Sequence, residues 1–380
     1  MMIIFQKIPV NSQSLSGYAE ISMITCNPGT ELYSVFGHSA IRVFDPEKGI
    51  DWVYNYGTFN FNEPGFYVKF IRGYLNYQLS VYHMNDMMNE YIYENRSVYE
   101  QVLNLSQSEK EEIFQFLEFN RLPENKYYLY DFFFDNCATR IRDVFEKELK
   151  TKLQFDKTNY HALTFREMLR PYLEPHPWSK FGINLVLGAI ADRPATIEEC
   201  MFLPDYMKVE FGHASMVSGQ TKNKFVKSEK TLFEQKTVEN NNPFYLTPGF
   251  VFSMILLIVL VFTYFEMRGQ TRYKIIDFVI FLFIGFIGFI LFFLWFFTDH
   301  TAVVKNWNLM WAVPTHLVLA FWVFKKSKSA FLKYYFLATG LLAFSVIPFW
   351  LVIPQRFELA YIPLILIVFL RSYQMFRYHK

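Results

Sequence analysis

Two patterns divide the chain. Up to about residue 240, apolar positions come in short runs broken by polar turns; from Phe244 they run almost without interruption. In the first part, Tyr18 to Thr25 alternates weakly and predicts a strand. Asn27-Pro28-Gly29 turns the chain, and Glu31 to Phe36 predicts a short helix. His38 to Phe44 alternates cleanly, with His38, Ala40 and Arg42 on one face and Ser39, Ile41 and Val43 on the other. The turn cluster Asp45 to Gly49 separates it from a second strand over Asp51 to Thr58, so the two predict a hairpin. Gly65 to Arg72 predicts a short helix, and Leu75 to Met84 another strand. Ser106 to Glu118 predicts a helix that Pro123 ends. Asp135 and Asn136, both good N-cap residues, precede an amphipathic helix from Cys137 to about Lys150. Pro171, Pro175 and Pro177 punctuate a loop-rich stretch, and Gly188 to Leu203 includes a helix opened by Ala195 to Glu199. Ser218 to Asn242 is polar and reads as a linker or small surface hairpin. There is no internal repeat. The expected class is α+β, a small antiparallel sheet with helices packed against it.

The second pattern predicts five membrane spans, each near the roughly 20 residues a bilayer core requires. They are about Phe244–Phe265, Ile275–Phe297, Trp307–Phe324, Phe331–Val352 and Leu359–Arg371 or slightly beyond. Arg268, Arg272 and Lys274 fall in one loop, Lys325, Lys326, Lys328 and Lys333 in another, and Arg371, Arg377 and Lys380 in the tail. The alternate loops carry few basic residues. All three basic segments then share one side, the cytoplasm, and the part before Phe244 lies outside. Export needs a leader, yet Met1 to Val10 has four apolar residues before Lys7, so the start is expected to be truncated or replaced.

Composition adds exclusions. The 380 residues are 52% hydrophobic and 20% aromatic, with 44 Phe, and the net charge is +2. No basic stripe interleaved with aromatics is present, which argues against a nucleic-acid partner. Three cysteines (Cys26, Cys137, Cys200) cannot all pair; a Cys26–Cys200 bridge would leave Cys137 free. No His/Cys spacing suggests zinc, and no phosphate-binding glycine loop is present, so neither metal nor cofactor is expected.

Cys137 carries the chemistry. A thiol at a helix N-terminus sits at the positive end of the macrodipole and ionises more readily, although a free Cys is usually a small buried residue. His38, in Phe36-Gly37-His38-Ser39-Ala40, supplies a candidate base. The adjacent strand offers Tyr54, Asn55 and Tyr56 as groups to fix the imidazole; Asn55 is the choice for that role and Tyr56 a substrate contact. The backbone N–H of Cys137 is a candidate oxyanion donor, and the Asn136 side chain could add another or simply cap the helix. Arg72 could bind a lipid phosphate or form a surface ion pair. Asp299 and His300 after the second span, and Asn306 and Asn308 before the third, could meet a head group or belong to an ordinary interfacial loop. His83 reads as structural, and His316 as facing other helices.

These residues carry a resemblance. The run from Glu20 through Phe36-Gly37-His38-Ser39-Ala40-Ile41-Arg42-Val43 is similar to the start of the periplasmic domain of the Lnb family of bacterial lipoprotein N-acyltransferases. The similarity continues through Val53 to Phe59, Lys69 to Leu75, Phe134-Asp135-Asn136-Cys137-Ala138-Thr139-Arg140, Ala191 to Thr196 and Met201 to Asp205, and into the membrane part at Thr298 to Thr301 and Asn306 to Asn308. The resemblance implies a circularly permuted papain-like thiol domain over 1–217, a linker over 218–243 and an all-α transmembrane domain of about five helices over 244–380. It implies a cysteine acyltransferase in the bacterial inner membrane with its catalytic domain on the periplasmic side. The Cys137 thiolate, activated by His38, would take an acyl chain from a membrane phospholipid and pass it to the α-amine of a diacylglyceryl-Cys lipoprotein. Two other classes stay open: a papain-like hydrolase of cell-wall peptide or phospholipid ester, and a non-catalytic membrane sensor.

Overall fold

The fold is that of a computed structural model, which describes residues 14–60, 62, 64–158, 160–236, 243–269, 272–325 and 329–378. The expectation about a leader, on Met1 to Val10, lies outside the described residues. The strands are β1 (Glu20–Cys26), β2 (His38–Asp45), β3 (Ile50–Thr58), β4 (Asn76–His83), β5 (Val98–Leu103), β6 (Tyr127–Leu129), β7 (Leu153–Gln154), β8 (Ser215–Ser218), β9 (Thr221–Lys224) and β10 (Val226–Phe233). The first helices are α1 (Phe66–Arg72), α2 (Met84–Tyr93), α3 (Gln107–Asn120), α4 (Cys137–Leu149), α5 (Phe165–Leu173) and α6 (Pro177–Val186). They are followed by α7 (Ile197–Cys200), α8 (Pro204–His213), α9 (Pro248–Met267), α10 (Lys274–Phe297), α11 (His316–Leu319), α12 (Ala330–Ser345) and α13 (Tyr361–Tyr378). The chain divides into two units: Met1–Leu163 with Ala195–Val238, and Thr164–Pro194 with Glu239–Lys380.

The first unit is α+β, built on a seven-stranded antiparallel sheet in the order β10-β5-β1-β2-β3-β4-β6. The predicted hairpin forms, with Ile41 opposite Tyr54 and Asp45 opposite Ile50. Strand parity then sends side chains to opposite faces. Ile24, Cys26, Ala40, Val53 and Val98 bury one face against Met84, Met87 and Tyr91 of α2. Tyr54 and Tyr56 point the other way, donating to Glu118 Oε1 of α3 at 2.6 Å and to Asn120 Oδ1 at 3.3 Å. α3 begins with a capping box, in which Ser106 and Glu109 satisfy each other's backbone N–H groups. α4 packs against α3 and the β2–β3 hairpin.

The second unit is helical. α9 and α10 are long and apolar enough to cross a membrane, whereas α12 is shorter, at 16 residues. The predicted third span is not one helix: Trp307–Met310 is a 3-10 turn, α11 has four residues, and Ala320–Phe324 is again 3-10. Pro314 precludes a continuous hydrogen-bond ladder there. The broken segment is buried instead against glycines of α10. A Cβ on Gly285 would lie 2.1 Å from Leu317 N, and one on Gly288 would lie 2.1 Å from Ala312 O. Irregular backbone at such depth is tolerated where protein covers it.

Four further expectations change. Glu31 to Phe36 forms turns, not a helix. The supposed loop around Pro171 holds α5, and Pro177 opens α6 at its first turn, where a missing N–H costs nothing. Of the stretch after Ser218, read as linker or small surface hairpin, Thr221–Lys224 does pair with β8 as a hairpin, but Val226–Phe233 is the sheet-edge strand β10, and 164–194 packs with the helical unit. Arg371, counted as a tail cation, is buried in α13, with Nη1 2.7 Å from Glu266 and Nε 2.6 Å from Asp277.

Candidate active site

Cys137 is the first residue of α4, and the local sequence builds that start firmly. Asn136 is extended (φ −119°, ψ −172°), and its Oδ1 accepts from Ala138 N at 2.9 Å and Thr139 N at 3.0 Å. Thr139 Oγ1 in return accepts from Asn136 N at 2.7 Å, closing a capping box. Asn136 Nδ2 donates to the carbonyls of Phe132 and Phe202, both at 2.9 Å. Both amide hydrogens and the oxygen are therefore committed. The expectation that Asn136 could be a substrate donor gives way to its capping role. The cap engages Ala138 and Thr139 and leaves the N–H of Cys137 itself unused. Asp135 pairs with Arg140, whose guanidinium lies 4.2 Å from the Tyr128 ring centroid.

His38 starts β2, where its partner on β1 is Cys26. Its Nε2 lies 2.7 Å from Asn55 Oδ1, and Asn55 Nδ2 donates to the Tyr82 hydroxyl at 2.5 Å. With Asn55 Oδ1 turned to the ring, the proton is held on Nε2 and Nδ1 is the nitrogen left to act as base. Parity explains the encounter: Ile41 pairs with Tyr54, so Asn55 shares the face of Ala40 and His38.

Electrostatics distinguish the three thiols, all unpaired. Burial raises the Cys137 pKa, but the His38 charge and hydrogen bond, with backbone N–H groups of Ser39 and Ala138, outweigh it and hold the thiol below its ordinary range. Burial likewise opposes the charged form of His38; the Cys137 thiolate and the Asn55 contact outweigh that and raise the imidazole. Burial pushes the other two thiols up, Cys200 to about 12 and Cys26 further. Arg96 and Tyr91 beside Cys26, and Tyr160 beside Cys200, offset that burial only in part, whereas at Cys137 the partners prevail. The bridge that Cys26 and Cys200 could have formed is not made, and both are core residues.

Several participants escaped the sequence reading. Gly57 has φ +100°, and a Cβ there would sit 3.2 Å from Cys137 Cβ and 3.7 Å from His38 Cε1. Both the backbone angle and the close approach demand glycine. Burial raises the phenols of Tyr77, Tyr128 and Tyr130, Tyr77 to about 12, and the Cys137 charge adds to it. Tyr77 and Tyr130 stack with ring centroids 4.2 Å apart. The Val53 to Phe59 run contained Gly57, but strand register was needed to aim it.

The remaining candidates lie elsewhere. Tyr56 is 1% exposed and belongs to the core beneath the sheet, a correction to its reading as a substrate contact. Arg72 is exposed at the end of α1, over the Tyr74 ring at 4.9 Å. Asn306 is buried in the helical unit, donating to Leu185 O at 2.8 Å and Val186 O at 3.0 Å; it braces α6 and has no head-group donor left. Asn308 does similar work, bonding Leu185 O and the Trp311 indole. His300 precedes a 3-10 turn in the same unit. His83 is the N-cap residue of α2. Among the described residues no group of His, Cys, Asp and Glu could hold a metal ion.

The family model of the Lnb N-terminal periplasmic domain matches residues 11–171, and that of the Lnb transmembrane domain matches residues 239–380. No curated protein and no solved structure gives a significant match. The chain belongs to the Lnb family, as a membrane protein with a periplasmic part.

Proposed function

We propose that the protein is a lipoprotein N-acyltransferase of the bacterial inner membrane, with Cys137 as nucleophile, His38 as acid and base, and Asn55 orienting the imidazole. The observation that carries this reading is the single ionisable thiol beside a tautomer-fixed histidine, in a chain with a membrane unit. The order of the site, a His strand before a Cys helix, fits a circularly permuted papain-like domain. The loop charges fit five crossings, with the catalytic part outside.

The reaction runs in two transfers. The Cys137 thiolate attacks the ester carbonyl of a phospholipid, and the developing oxyanion takes the free N–H of Cys137. The C–O bond breaks, the imidazolium protonates the leaving alkoxide, and a lysophospholipid departs from a thioester. The neutral α-amine of a diacylglyceryl-Cys lipoprotein then attacks the thioester carbonyl. Its proton passes to His38, the C–S bond breaks, and the thiolate is restored with an N-acyl product. Ester and thioester energies suffice, so no nucleotide is needed. A membrane unit suits this chemistry because neither substrate leaves the bilayer.

Mass spectrometry of lipoprotein N-terminal peptides tests the reading. In cells without another N-acyltransferase, the wild-type chain should yield N-acylated termini and Cys137→Ser only diacylated ones. Free fatty acid released without an N-acylated peptide would identify a hydrolase instead. N-acylation persisting in Cys137→Ser would exclude a cysteine mechanism.

A further inference from the structure

We propose that α1 and Tyr74 form a lipid-seated surface through which a phospholipid acyl chain reaches Cys137; this rests on the acyl-transfer reading above. Within eight residues, Tyr67 is 76% exposed, Val68 63%, Phe70 51%, Ile71 48% and Tyr74 39%. So dense an apolar patch on one short helix marks an interaction surface. The helix is delimited by Gly65 and Gly73, both left-handed, and the Gly73 and Tyr74 N–H groups close its end onto Phe70 and Lys69 carbonyls. Its last turn carries Lys69 and Arg72 among the apolar side chains. Aromatic and aliphatic groups interleaved with cations suit the boundary of an anionic lipid leaflet, where rings enter the acyl region and cations meet phosphates.

The inward side of the same helix packs on a run of aromatic rings. Phe66 stacks on Phe59 at 5.8 Å, Phe59 meets Tyr77 at 5.0 Å, and Tyr77 stacks on Tyr130. Tyr77 and Tyr130 both feel the Cys137 charge. A cleft of about 370 Å³ opens beside this track, lined by Phe59, Asn60, Asn76, Gln78 and Tyr127. A run of ring contacts thus leads from the exposed helix to Tyr77 and Tyr130, and the acyl chain would lie along it.

Two measurements on the full chain, in vesicles of phosphatidylethanolamine and phosphatidylglycerol, test this. A nitroxide on Tyr67→Cys, in a Cys137→Ala background, should relax several-fold more with oxygen relative to an aqueous nickel chelate than a label on Glu47→Cys in the β2–β3 turn. Equal ratios at the two sites would overturn the proposal. Separately, Tyr67→Glu/Val68→Glu with Cys137 intact should lose at least ten-fold in Cys137 acylation by vesicle phospholipid, while acylation by soluble p-nitrophenyl butyrate stays at the wild-type rate. Unchanged phospholipid acylation, or equal loss with both donors, would also overturn it. If the wild-type chain takes an acyl group from neither donor, the acyl-transfer reading fails, and the nitroxide result still decides whether α1 is seated in lipid.

Discussion

Cys137 and His38 shift each other's titration in opposite directions, and this gives the sharpest residue-scale predictions. The thiol is held low and the imidazole high, which favours the thiolate–imidazolium pair over the neutral pair, and the thiolate is lost as pH falls through the thiol's step. Iodoacetamide alkylation of Cys137 should therefore rise at a pH below that of an ordinary thiol, near about 8.5. In His38→Gln the rise should move up toward the ordinary range or beyond, because only the backbone N–H groups of Ser39 and Ala138 then oppose burial; an unmoved profile would show that the two groups do not interact. The same variant should slow acyl transfer on the order of 10²–10⁴-fold. Gly57→Ala should also cost activity, since its Cβ would press on Cys137 from a left-handed backbone that costs roughly 1–3 kcal/mol. Wild-type kinetics in Gly57→Ala would contradict that placement. His38, Cys137 and Asn55 were legible because a cap and a clean alternation announced them. Gly57, Tyr82 and the Ser39 N–H were not, because each reaches the site through a register that no single strand encodes.

At the scale of elements, buried polar braces matter most. Arg166 of α5 bonds Asp192 at 2.8 Å and Asn184 at 2.7 Å, and Asn184 donates to Glu358 at 2.7 Å. Removing one partner of such a buried pair leaves an uncompensated charge, so Arg166→Ala should destabilise the protein by about 3–5 kcal/mol in denaturant unfolding. A loss under about 1 kcal/mol, typical of a surface ion pair, would contradict this placement. The alternating strands and the capped helices α3 and α4 were legible from local pattern. β10 was not, because exposed Lys and Glu make Val226–Phe233 read as linker; its pairing partner β5 lies more than a hundred residues earlier. α5 hid behind Pro171, which usually breaks a helix interior. The split third span had its warning in Pro314, but the cover from Gly285 and Gly288 depends on packing that sequence does not display.

For the whole molecule, the division into a periplasmic sheet domain and a transmembrane helical domain was the most legible feature, because the apolar run after Phe244 and the loop charges extend over many residues. Arg371 was miscounted: a lone cation near a chain end resembles a topology signal until its carboxylate partners fold beside it. The remaining charge asymmetry predicts that a membrane-impermeant thiol reagent labels Glu47→Cys in intact spheroplasts but not Lys325→Cys. Labelling of Lys325→Cys from outside would reverse the proposed orientation. The central claim joins both halves, an ionised thiol that accepts acyl groups from lipid. Its most direct test is intact-mass spectrometry of the purified chain after incubation with phospholipid vesicles. The account predicts one added acyl mass on Cys137, removed by hydroxylamine, absent in Cys137→Ala and discharged by a diacylglyceryl-Cys peptide. N-acylated peptide formed at the wild-type rate by Cys137→Ala, or a wild-type chain that never carries the acyl group, would contradict it.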